Sequence, residues 1–305
     1  MVQQSDLPFR SLVEKYGATA TYTQMLIPNR LLNDQEYLEF HLRDLQFLKP
    51  EREVPVVVQL GGNDPELVVR AGRKVEAYCD GIDLNLGCPQ EHARNGHFGA
   101  YLLGQKDWPL VETIAKTVEL ALRLEAQGAG WITLHPRTVS ARRRRQGAAD
   151  LSVVRDLKAR LNIPVVSNGN VRTFDDLQAN MDYTGADGLM VGEALLDNPC
   201  LFANVTPDPF DISLEYLTLC DMCPGTALLP SIQAHIRHFM EARCTRESWF
   251  PKFKDSLNRT ESIEEIMALV RNRGALDRIH GHVTEDVNPR QCDIEDEVLG
   301  LAFLH

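Results

Sequence analysis

The chain predicts an α/β fold built on a parallel sheet, followed by a purely helical segment. Up to about residue 203, short β-branched runs alternate with longer helical patterns. Every such run ends in polar or glycine-bearing residues, and after Pro207 no further strand pattern occurs. In chain order, a helix at roughly 5–16 leads into a strand at Ala18 to Thr23, and a helix at 33–47 into a strand at Val54 to Leu60. The helix at 64–79 has Asp64 as its N-cap, where a carboxylate accepts from the first free N–H groups, and Pro65 in its first turn. The third strand is Gly81 to Leu86, followed by one helix at 107–127 and a fourth strand at Trp131 to His135. A helix at 148–161, a strand at Pro164 to Asn168, a helix at 173–183 capped by Thr173 and a strand at Gly188 to Val191 complete the alternation. Beyond them, Ser231 to Glu241 and Ser262 to Arg273 are the clearest helices.

With 305 residues, 44% of them apolar, the chain can fill one large α/β core and a smaller one. Seven cysteines, an odd number without repeated spacing, fit a reducing compartment, hence a cytoplasmic or nuclear protein. Cys220-Asp221-Met222-Cys223 has no second pair, so no metal is expected. No run approaches a membrane span, and the opening residues lack a basic-then-apolar signal. The net charge of −11 argues against a uniformly basic nucleic-acid binder but leaves room for a local footprint. Arg142, Arg143, Arg144 and Arg145 form an unbroken basic run. Residues 235–259 interleave Arg237, Arg243, Arg246, Lys252, Lys254 and Arg259 with Phe239, Trp249, Phe250 and Phe253. The stretch after Glu261 is acidic and ends in an unassigned tail at 276–305.

The strand ends carry Gln59 then Gly61-Gly62, Asn85 then Gly87-Cys88, His135 then Arg137-Thr138, Asn168-Gly169-Asn170, and Gly192-Glu193. Such residues gathered at strand C-termini are what a TIM barrel presents at its catalytic face, although a doubly wound open sheet shares the alternation. Cys88 is the most informative of them. A thiol at a strand end, with Gly87 before it for close backbone approach and Pro89 after it to fix the turn, is placed to act; the plainer reading is an inert buried thiol. The phrase Leu84-Asn85-Leu86-Gly87-Cys88-Pro89-Gln90, followed by Ala93-Arg94-Asn95-Gly96-His97-Phe98-Gly99-Ala100-Tyr101-Leu102-Leu103, resembles the signature of the tRNA-dihydrouridine synthases. The branch it resembles acts on positions 16 and 17 of the D-loop.

That resemblance covers residues 1 to about 270 and decides for the barrel. It implies a TIM-barrel-like FMN domain over 1–205 and an all-helical tRNA-binding domain over 206–275. The implied reaction is FMN-mediated, NADPH-driven reduction of uridine to 5,6-dihydrouridine by a monomer. Hydride would go to C6 of the base and a proton from Cys88 to C5, so the thiol must arrive protonated. Gln59 would meet the flavin ring with its amide, and His135 would hydrogen-bond the cofactor. Asn168-Gly169-Asn170 and Gly192-Glu193 would hold its phosphate, the glycines by baring the backbone and Glu193 through its main chain. Asn85, Arg94 and His97 would position the base, and the Arg142–Arg145 run would clamp tRNA phosphate. The 235–259 segment would add phosphate contacts and stacking platforms, with half of its aromatics read alternatively as helix core.

The chain also departs from the family pattern. An eight-stranded barrel needs two strands more than the six found here. Between Cys88 and His135 the family has a strand bearing a flavin-contacting lysine, whereas Lys116-Thr117-Val118 here is embedded in a helical pattern. Met1-Val2 matches the end of the family's Ala-Pro-Met-Val phrase, so its first strand is expected to be missing. Pro136 stands where the family more commonly has a small residue. Two other readings follow: a truncated, non-catalytic tRNA-binding form, and a different FMN barrel reducing a small pyrimidine. The helical appendix and the Cys-Pro phrase count against the second.

Overall fold

The computed structural model describes residues 4–47, 53–88, 90–101, 110–137 and 148–279. All six expected strands form, each shorter than its sequence pattern. They are β1 (Thr21–Tyr22), β2 (Val56–Leu60), β3 (Gly81–Leu84), β4 (Ile132–Leu134), β5 (Val165–Asn168) and β6 (Gly188–Met190). β3 ends early because the Asn85 N–H makes the last rung to the Leu60 carbonyl (2.8 Å) before the chain turns. The helices are α1 (Leu7–Lys15), α2 (Pro28–Asn33), α3 (Gln35–Gln46), α4 (Pro65–Val75), α5 (Glu91–Asn95) and α6 (Leu110–Ala126). They continue as α7 (Ser152–Lys158), α8 (Phe174–Thr184), α9 (Glu193–Asp197), α10 (Pro209–Met222), α11 (Leu229–Cys244), α12 (Phe250–Leu257) and α13 (Ile263–Ile279). Asp64 caps α4 as expected, accepting from the N–H groups of Glu66 (2.9 Å) and Leu67 (3.1 Å).

All strand pairs are parallel, but the described residues show no closed barrel. β1-β2-β3 form one sheet and β4-β5-β6 another. The break falls between β3 and β4, where the sequence shows one helix and no lysine-bearing strand; Lys116-Thr117-Val118 indeed lies within α6. Ile82 and Leu84 on the edge strand β3 are 41% and 42% exposed, which is what an edge without a neighbouring unit leaves behind. Trp131, just before β4, reaches back to the first sheet. Its Nε1–H donates to the Tyr22 hydroxyl (3.1 Å), and its ring lies 3.1 Å from where a Cβ on Gly81 would be.

The apolar cores follow this division. Leu26, Leu31, Leu45, Val56, Val58, Leu60, Ala71 and Val75 pack around the first sheet. Val118, Val154, Leu157, Leu161, Val165 and Ala186 pack around the second. Each such fully buried large side chain contributes about 1.5–3 kcal/mol. The helices after residue 205 share a third core with α1 and α9, made of Phe9, Leu12, Leu196, Tyr216, Phe239, Phe253 and Val270 among others. A buried polar cluster ties the parts together. Asp6 caps α1 by accepting from the Phe9 N–H (3.0 Å) and also accepts from the Tyr216 hydroxyl on α10. Arg10, 2% exposed, pairs with Asp44 on α3.

The helical segment corrects one expectation. Phe239, Phe250 and Phe253 are at most 4% exposed, and the Arg273 guanidinium covers Trp249, 4.2 Å from the ring centroid. These aromatics are core, because each lies on the face that α11 and α12 turn toward their neighbours; they are not open stacking platforms. Arg243, Arg246, Lys252 and Arg259 are exposed, while Lys254 pairs with Glu241. Among the described residues there is no group of side chains fit to hold a metal ion, Cys220 and Cys223 included, and no helix long and apolar enough to cross a membrane.

Candidate active site

The first sheet places one connected set of side chains at its C-terminal edge. Parallel register sets Gln59 on β2 beside Asp83 on β3. Gln59 Nε2–H donates to Asp83 Oδ2 (2.8 Å), and Gln59 Oε1 accepts from Asn85 Nδ2–H (2.9 Å). Asn85 Oδ1 then accepts from the N–H groups of Gly87 (3.0 Å) and Cys88 (2.8 Å), an Asx turn that fixes the path into Cys88. One hydrogen bond joins the two amides; Gln59 spends a second on Asp83, and Asn85 spends its oxygen on the Gly87 and Cys88 backbone. Gln59 retains one N–H and one lone pair.

Cys88 is buried among Met25, Ala93 and Phe98. The loop after it folds back: the Ala100 N–H donates to the Cys88 carbonyl (3.1 Å), and Gly99, at φ 62°, lies against the Cys88 backbone. Burial pushes the Cys88 thiol above the ordinary cysteine range, opposed by a backbone hydrogen bond at Gln90. A thiol so placed stays protonated at neutral pH, the state a proton donor needs and a nucleophile does not. Arg94 and His97 are exposed on this loop, His97 in the left-handed region at φ 50°. The Asn63 side chain holds the loop by donating to the Gly96 carbonyl (3.0 Å).

The second sheet gathers the other set. His135 Nδ1 lies 2.9 Å from the Asn168 carbonyl oxygen. A carbonyl only accepts, so Nδ1 carries the proton and Nε2 is the acceptor of the neutral ring. Asn168 Nδ2–H donates to the Met190 carbonyl (2.7 Å), pinning β5 to β6. Asn170 brackets Ala149, accepting from its N–H (2.7 Å) and donating to its carbonyl (2.8 Å). The side chains of Asn168 and Asn170 therefore shape the strand ends, leaving the backbone to face a ligand. Gly169 has φ 127° and Asn170 φ 61°, and a Cβ on Gly169 would come within 2.9 Å of the Ala149 Cβ. Gly192 is the N-cap of α9, where it has no side chain to place over the first turn, and Glu193 begins the helix. Arg142, Arg143, Arg144 and Arg145 lie outside the described residues.

Two residues of the site escaped the sequence reading. Asp83 stands just before the Cys88 phrase as a lone carboxylate in an apolar strand, a signal that is visible. Gly99 offers none, since its closeness to Cys88 exists only once the loop has folded.

The model of the dihydrouridine synthase family matches residues 1–118 and 107–266, so two of its stretches overlap on this chain at 107–118. A mouse protein named "tRNA-dihydrouridine(16/17) synthase NAD(P)(+)-like" is 34% identical over 258 residues, 77% of this chain and 53% of its own length. The Saccharomyces cerevisiae tRNA-dihydrouridine(16/17) synthase is 32% identical over 226 residues, covering 66% of this chain and 52% of its own. The mouse "tRNA-dihydrouridine(20a/20b) synthase NAD(P)+-like" is 30% identical over 277 residues, 81% of this chain and 80% of its own. The chain spans about half the length of the 16/17 relatives it matches.

Proposed function

This chain belongs to the dihydrouridine synthase family, and from that premise we propose that it reduces tRNA uridine, at D-loop positions 16 and 17, to 5,6-dihydrouridine. The observation that carries this reading is Cys88: a buried thiol, kept protonated by burial, at the C-terminal end of β3 with its backbone held by Asn85. The printed names of the relatives support the substrate class and a nicotinamide reductant. The two three-stranded sheets are read as two arcs of a TIM-like barrel whose strand C-termini share one face.

The residues present fit FMN best at its phosphate end. Consecutive positive φ angles at Gly169 and Asn170 offer a backbone nest to an anion, and Gly192 bares the backbone just before α9. Gln59 and His135 Nε2 would face the ring, and Lys116 lies within α6 where the family's flavin-contacting lysine would sit on a strand. FMN, reduced by NADPH, supplies the hydride when bound. Everything else falls to the chain. Cys88 holds the proton destined for C5 of the uracil and releases it as the base accepts hydride at C6. The loop from Glu91 to Tyr101 covers the thiol and keeps water from it. Arg94, His97 and Arg142–Arg145 would grip the flipped nucleotide and its phosphates.

The test is to incubate the purified chain with FMN, NADPH and unmodified tRNA and to measure dihydrouridine by mass spectrometry. Turnover that is lost in Cys88→Ala, with tRNA affinity retained, is the expected result. Equal turnover in the two proteins would overturn the role of Cys88. A second reading has its own observation: the break between β3 and β4 favours a tRNA-binding form without catalysis. That form would bind tRNA and yield no dihydrouridine at any FMN concentration.

A further inference from the structure

We infer that Trp131 is a positioning residue: it sets β4 against the first sheet where no hydrogen-bonded ladder does, and so fixes His135 relative to Gln59 and Cys88 across the break. The inference rests on the reading of the two sheets as arcs around one site. Pleat alternation says where the indole lies. Ile132 and Leu134 turn into the second core, so Trp131, Thr133 and His135 share the opposite face. On the first sheet Val56, Val58 and Leu60 turn into the first core, which leaves Val57 and Gln59 on the other face. Parallel register aligns Tyr22, Val57 and Gly81 in one row of that face, and Gln59 with Asp83 in the next.

Trp131 meets the first of these rows at two points. Its Nε1–H donates to the Tyr22 hydroxyl on β1 (3.1 Å), and its Cη2 lies 3.1 Å from where a Cβ on Gly81 of β3 would be. A hydrogen bond from one ring and a close approach by the other, in one rigid plane, fix both the position and the rotation of the indole against the row. The glycine is what admits it. With the indole set aside, the nearest atom to a Cβ at position 81 is Val57 Cγ2 at 3.7 Å, an ordinary contact. A glycine inside a strand weakens it, and often marks a place where another group approaches closely. Here that group is the indole.

The consequence falls on the site. Among the described residues no ladder joins β3 to β4. Gln59 and Cys88 belong to the first sheet and its outgoing loop. His135, held by Nδ1 to the Asn168 carbonyl, and the Gly169-Asn170 turn belong to the second. FMN with its phosphate on the second sheet and its ring between Gln59 and His135 needs both sheets in one arrangement. Inorganic phosphate needs only the second.

The first experiment uses the full chain without cofactor. Gly81→Val drives two methyl groups into the indole and is expected to lower Tm by about 3 °C or more through overpacking. In a Trp131→Leu background, where the side chain ends short of position 81, the same change is expected to leave Tm unchanged or to raise it, since valine suits a strand better than glycine. Equal effects of Gly81→Val in the two backgrounds would overturn the proposal. The second experiment titrates FMN and inorganic phosphate separately. Trp131→Leu is expected to weaken FMN about tenfold and phosphate by less than about twofold, because only the larger ligand depends on the preset spacing. Tyr22→Phe removes nothing but the acceptor of the indole N–H, and is expected to weaken FMN about threefold with phosphate unchanged. FMN affinity untouched by Trp131→Leu, or an equal loss for both ligands, would make the indole mere packing. If the unsubstituted chain takes up no FMN, the proposed function has failed, and the Gly81 comparison still decides whether Trp131 holds the two sheets together.

Discussion

A Cβ on Gly99 would sit 2.7 Å from the Cys88 carbonyl oxygen and 3.0 Å from both its Cβ and its backbone nitrogen. The loop and the thiol-bearing strand end are thus in backbone contact, and residue 99 adopts φ 62°, which side-chain-bearing residues seldom take. Gly99→Ala is expected to cost about 1–3 kcal/mol from the combined clash and strain. It should also open Cys88 to alkylation. Gly87→Ala is the control, since a Cβ there meets nothing within 4 Å. Denaturant unfolding of both variants checks this, and equal stabilities would show that the close approach is not a constraint.

The Cys88 thiol should titrate above an exposed cysteine. Its folded pKa is raised above its unfolded one, chiefly by burial. By linkage, its contribution to stability is therefore full below the unfolded pKa and is lost as pH rises through the folded one. Cys244, pushed up to about 11 by burial, acts in the same direction. Alkylation at Cys88, isolated by comparison with Cys88→Ser, is expected to accelerate only on the alkaline side of the ordinary cysteine range. A midpoint at or below that of a model thiol would contradict a donor held protonated.

Filling the break between β3 and β4 with a lysine-bearing strand and its helix should tighten FMN binding. A charge-assisted hydrogen bond is worth about 1.5–3 kcal/mol, which is roughly ten- to a hundredfold in affinity. Fluorescence titration of FMN into both proteins measures it. Equal affinities would mean that the open sheet edge costs the cofactor nothing.

Binding of tRNA by the helical segment should be electrostatic and not based on stacking. Neutralising Arg243, Arg246, Lys252 and Arg259, all exposed, is expected to lower affinity and to reduce the salt slope by roughly 0.7–0.9 for each phosphate no longer neutralised. Phe253→Ala, by contrast, empties part of a core and should cost about 3–5 kcal/mol of stability. If the charge variants bind with an unchanged salt slope, these cations are solvated surface.

The sequence by itself determined whatever is encoded over short spans. β-branched runs punctuated by Gly and Pro marked all six strands, because backbone preference and burial period are local properties. The Asp64 cap was equally readable, since a carboxylate and the N–H groups it serves lie within three residues. So was the Cys88 phrase, whose residues are contiguous. Only the tertiary structure decided that Phe239, Phe250 and Phe253 face a core and not a base, because a helix shows its apolar stripe without showing what covers it. α10 was not singled out as a helix for a related reason: its buried residues form one face, but the apolar Leu214, Leu219 and Met222 lie outside that face and blur the stripe in the sequence. The split of the sheet after β3 appears in sequence as a missing strand, but the reach of Trp131 to Tyr22 across it does not. The Asp83–Gln59–Asn85 hydrogen-bond chain depends on a register that joins positions 24 and 26 residues apart. Register is set by how two strands bury their shared face, so neither strand carries it alone.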